Sequence, residues 1–62
     1  MELFDKNYQR LIGMRKAAII EEGVKRDVWS NTSVDYLLKH WNKILLARHL
    51  ADRIEWKELR GY

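Results

Sequence analysis

The stretch SVDYLLKHWNKILLARHLADRIEWKELR, residues 33–60, contains neither glycine nor proline, and Gly61 closes it. Read as one helix, it runs for roughly 42 Å at about 1.5 Å per residue. Residues 1–32 are too few to cover a helix of that length, so the stretch predicts a partner. Its apolar positions also change phase halfway. Val34, Leu37, Leu38, Trp41, Ile44 and Leu45 form a first face. Ala47, Leu50, Ala51 and Ile54 form a second, rotated by well over a quarter turn, with Leu46 at its edge. Heptad drift amounts to only about 20° per seven residues and does not produce such a shift. Two sets of neighbours would: the first helix of the same chain and a second copy. The fold expected is therefore all-α, a helical hairpin of two long helices that dimerises into an antiparallel four-helix bundle. Leu46, Ala47, Leu50, Ala51 and Ile54 are the expected dimer interface, with Ala47 and Ala51 permitting close approach.

Outward from that stretch, residues 30–33, SNTS, form the clearest break, because Ser, Asn and Thr compete with the backbone for hydrogen bonds and favour caps. Thr32 followed by Asp35 approximates a capping box. Upstream, Phe4, Tyr8, Leu11, Ile12, Ala18 and Ile19 fall on one face at helical spacing, and Ala17, Ile20, Val24 and Val28 lie near the other. A first helix is expected over about residues 3–22. Gly23 suits a left-handed stop, with Val24 packing back. The i,i+4 pairs Glu21–Lys25 and Glu22–Arg26 argue instead for continuation to about residue 28. Residues 23–32 are then the connection, helix two covers about 33–60, and 1–62 form a single domain.

Size and composition narrow the role. At 62 residues without cysteine, disulfides and zinc–thiolate sites are excluded, and oligomerisation is the natural reinforcement for so small a core. The content is 47% apolar and 34% charged, as in a folded helical protein rather than a disordered tail. No apolar run approaches the roughly 20 residues of a membrane span, so no membrane partner is expected. The N-terminal MELFDKNYQR lacks a basic region followed by an apolar block, and a cytoplasmic protein is the default expectation. The net charge is +3, but it is spread evenly over both halves, which makes it weak evidence for an anionic partner.

Candidate chemistry is sparse. His40 and His49 sit nine residues apart, on different sides of one helix, with no cysteine and no metal-binding spacing around them. Asp52, Glu55 and Glu58 alternate with Arg53, Lys57 and Arg60, as on a solvated charged face. No phosphate loop, nucleophile elbow or triad is present, so neither an enzyme nor a cofactor or metal site is expected. Two surfaces remain. Trp56, Leu59 and Tyr62 form an aromatic–aliphatic patch suited to a protein partner, since Trp and Tyr are enriched at interface hot spots. Lys39, Lys43, Arg53 and Lys57 project in similar directions along helix two and could track phosphates, with Lys25 and Arg26 adding charge at the connection. Leu46 and Leu50 interrupt that stripe. A helix-turn-helix centred on Gly23–Val24 fits weakly, because Ile19 stands where a small residue is usual. The leading expectation is a non-enzymatic binding or adaptor protein acting as a homodimer on a protein partner. The runner-up is a small DNA- or RNA-binding regulator.

Overall fold

The computed structural model describes residues 2–60, with side chains from Phe4 onward. Gly61 and Tyr62, and with them the expected helix stop and one member of the aromatic patch, lie outside the described residues. The described chain is all-α, as its periodicity predicts. It comprises α1 (Glu2–Ile12), α2 (Lys16–Lys25), α3 (Val34–His40) and α4 (Lys43–Leu59), with a 3-10 turn over Asn31–Ser33 leading into α3.

Neither long helix of the expected hairpin is continuous. The first breaks after Ile12: Met14 N–H donates to the Leu11 carbonyl at 2.9 Å, and Arg15 is extended (φ −69°, ψ 150°). The second breaks at Trp41 and Asn42, both extended, with ψ 138° and 169°. The Asn42 side-chain oxygen then accepts the Leu45 N–H at 2.8 Å and starts α4. An asparagine in that position satisfies one of the orphan donors of a helix start. The change of apolar phase therefore has a simpler origin than a second copy: the helix stops and restarts in a new direction. Leu37 enters the core from α3, while Ile44 and Leu45, in the first turn of α4, face outward.

The core comprises Leu11, Ile19, Ile20 and Leu37 around Leu46, Ala47, Leu50, Ala51 and Ile54 of α4. The two alanines present little side chain, and α1 and α2 both pack on α4, with α3 against α2. The chain thus covers by itself the face that the sequence assigns to a second copy.

The end of α2 also differs from expectation. Gly23 is not a stop but lies inside the helix, and the pairs Glu21–Lys25 (3.8 Å) and Glu22–Arg26 (3.2 Å) both form across it. The left-handed residue is Asp27 (φ 61°). Val28 N–H donates to the Gly23 carbonyl at 2.8 Å and Asp27 N–H to the Val24 carbonyl at 3.1 Å, the two bonds of a Schellman motif. Gly23 is needed for close approach instead: a Cβ there would lie 2.1 Å from Trp29 Cε3. With Gly23 and Val24 helical, no helix-turn-helix turn exists at that point. The Thr32–Asp35 capping box is likewise absent. The Ser30 hydroxyl instead meets Thr32 Oγ1 at 2.8 Å and Ser33 Oγ at 3.1 Å around the 3-10 turn.

Side chains tie the remaining helix ends. Glu55, expected on a solvated face, is buried, and its Oε2 accepts the Phe4 N–H in the first turn of α1 at 2.9 Å. Its carboxylate thereby also meets the positive end of the α1 dipole. Lys57 Nζ donates to the Arg26 carbonyl at the end of α2, and Lys16 Nζ to the Leu38 carbonyl in the last turn of α3, each at 2.5 Å. Both cations suit the negative ends of helices.

Candidate protein-contact surface

With α4 starting at Lys43, its two sides are defined. Leu46, Ala47, Leu50, Ala51 and Ile54, the expected dimer interface, are 0–4% exposed inside the chain's own core. The opposite side carries Leu45, Arg48, Asp52, Trp56 and Leu59, all exposed. At 100° per residue these five fall within an arc of roughly 80°. Ile44 flanks them. Exposure is 45% at Leu45, 55% at Ile44, 40% at Trp56 and 69% at Leu59, so large apolar groups stand at both ends of the helix. Of the expected patch, Trp56 and Leu59 are thus brought together.

The ring of Trp56 carries two cations: Arg53 Cζ lies 4.7 Å from its centroid and Arg60 Cζ 4.9 Å. Such contacts contribute roughly 0.5–1 kcal/mol each at exposed sites and hold the ring in place. At the other end of the face, Phe4, Leu45, Arg48, His49 and Asp52 line an open, mostly apolar groove of about 360 Å³ between α1 and α4. A smaller groove of about 240 Å³ lies between α2 and α3, lined by Ile20, Val24, Val34 and Leu38 among others.

The basic stripe is rearranged. Lys43, Arg53 and Lys57 share the side of α4 that carries Leu46 and Leu50, and that side is the core seam, so all three are half-buried along its edge. The leucines that interrupt the stripe in sequence are there because the stripe faces inward. Lys57 is bonded to α2, Arg53 lies on Trp56, and Lys25 and Arg26 pair with Glu21 and Glu22. Lys39 is exposed on α3.

His40 is exposed against Tyr36, ring centroids 4.6 Å apart. His49 is half-buried, stacked on Trp29 at 5.7 Å and edge-on to Trp41 at 5.3 Å. Its Nδ1 and the Trp29 Nε1 are buried without a hydrogen-bond partner among the described residues. Trp29 packs on Gly23, so this aromatic cluster joins α2 to the start of α4. Among the described residues no group of three His, Asp or Glu side chains is placed to hold a metal ion, and no helix is long and apolar enough to cross a membrane.

Glu22 is an acid whose pKa is moved by its neighbours. The hydrogen bond from Arg10 at 2.7 Å holds its carboxyl below the usual carboxylate range; partial burial opposes this, and the charges of Arg10 and Arg26 add to the lowering. It clamps α1 to α2.

Reading the residues one by one places Asp52 on the surface but misses Ile44, Leu45 and Arg48 there. The signal that could have found them is Asn42. Taken as an N-cap, it frees α4 from the phase of α3, so that Ile44 and Leu45 need not share the buried side with Leu37. Comparison with protein-family models, with characterised proteins and with solved structures returns no match.

Proposed function

We propose that this chain is a small non-enzymatic binding protein whose working surface is the outward face of α4. The observation that supports this best is the exposure of Trp56 and Leu59 together with Leu45 on a helix whose other face is fully covered. Exposed apolar groups of this size on one helix face, interspersed with and rimmed by Arg48, Arg53 and Arg60, have the make-up of a protein contact, where Trp and Arg dominate the binding energy. The nucleic-acid reading has less support, because most of the cations it relies on are bonded within the chain or lie along the core seam.

The test uses the wild-type chain and the double variant Trp56→Glu/Leu59→Glu as baits in nuclease-treated lysate of the source cell, with retained proteins quantified. Circular dichroism of both baits checks that each is folded. Proteins held by the wild type and lost with the variant support the reading. An identical set from both baits, or wild-type capture that disappears on nuclease treatment, overturns it.

A further inference from the structure

We infer that the occupant of this face is a second copy of the same chain, docked antiparallel about a two-fold axis level with Leu50. The inference rests on the binding reading above and names its partner. The face can pair with itself in charge. One end holds the exposed Trp56 and Leu59; the other holds Leu45 beside the groove lined by Phe4, Arg48, His49 and Asp52. In an antiparallel pair with its axis level with Leu50, position 56 of one copy lies level with position 44 of the other, since levels are mirrored through the axis at about 1.5 Å per residue. Trp56 of each copy then meets Ile44, Leu45 and the groove of the other, with Leu59 flanking it, and the contact forms twice.

The middle of the face carries opposite charges one turn apart, Arg48 and Asp52, both exposed. The axis level with Leu50 places Arg48 of each copy directly across from the second copy's Asp52 and keeps the two Asp52 side chains about four residues apart along the helix. A parallel pairing would set Arg48 against Arg48 and Asp52 against Asp52 and leave both grooves empty. The antiparallel contact is isologous and closed, the commonest form of homodimer. It is not the bundle that the apolar phase suggests, because that bundle uses the opposite face of α4, which is buried.

The experiment is light scattering on a sizing column over a concentration series, for the wild type, Arg48→Asp, Asp52→Arg and the double exchange Arg48→Asp/Asp52→Arg, with helicity of each checked by circular dichroism. The wild type should move from 7.5 kDa toward about 15 kDa as concentration rises. Each single variant should require about ten-fold or more higher concentration to do so, because it sets like charges against one another. The double exchange should recover most of that loss, since it rebuilds the same pairs with reversed sign. A wild-type chain that stays at 7.5 kDa up to about 1 mM, or a double exchange no better than the singles, overturns the inference. If capture of other proteins still depends on Trp56 and Leu59 in that case, the binding reading stands and only the second copy falls. If that capture fails as well, the surface reading falls with it.

Discussion

Gly23 and Asp27 show how residue chemistry and position separate. The glycine is helical and the aspartate takes the left-handed turn, although glycine is the residue such turns usually employ. The reason is Trp29, whose six-membered ring lies over Gly23 with no room for a methyl group. Gly23→Ala should therefore destabilise the fold, despite alanine's better helix propensity. A loss of about 1–3 kcal/mol is expected for overpacking, and at this size each kcal/mol lowers Tm by about 4–8 °C. Thermal unfolding of the variant checks this; a Tm at or above wild type would mean that Trp29 does not rest on Gly23. Gly13 is the contrast, since a Cβ there meets only carbonyl oxygens at 3.6 and 3.9 Å. From the sequence, two isolated glycines in one helical pattern look alike. Only the position of Trp29, six residues further on and folded back over α2, distinguishes them.

At the scale of the element, polar side chains settle where helices begin and end. Asn42 separates α3 from α4, and its replacement by alanine should cost about 1 kcal/mol as a lost N-cap. Hydrogen exchange should show the loss first at the opening turn of α4, around Leu45; unchanged protection there would show that the cap contributes little. Glu55 performs a comparable task between elements, reaching from α4 to the first turn of α1. Glu55→Ala leaves a part-buried donor without its partner and should cost about 1 kcal/mol or more. Glu55→Gln keeps an acceptor and should cost less. Urea unfolding of both variants tests the order, and equal midpoints would contradict it. The Asn42 cap could be read locally, because it involves a neighbour three residues away. The Glu55 contact spans 51 residues and has no local signature, so in sequence it passes for one more surface acid.

For the whole molecule, acid stability gives a further test. Glu22 joins α1 and α2 through Arg10, and its folded pKa lies below the usual 4.5. Its contribution is then fully present above the unfolded pKa and is lost as pH falls through the folded value. Thermal stability should decline as pH drops from about 5 toward 3. Arg10→Met should be less stable at pH 7, by at most about 1 kcal/mol for a pair this exposed, and should show a shallower acid decline. Parallel acid limbs for the two proteins would show that the clamp does not titrate in that window.

The all-α class, the break near residues 30–33, the face carrying Leu46, Ala47, Leu50, Ala51 and Ile54, and the pairing of Glu21 with Lys25 and Glu22 with Arg26 were determined by the sequence alone. They depend on spacing along a helix, and spacing is a local property. Which partner covers each face was decided only by tertiary structure. A shift in apolar phase can be met by a second copy or by breaking the helix, and the two solutions share the same pattern. Here the chain breaks twice, at Gly13–Arg15 and at Trp41–Asn42, and folds α1 and α2 over the face that a dimer would otherwise bury. That choice turns Leu45, Trp56 and Leu59 outward together, because so short a chain has too few residues to cover both sides of α4.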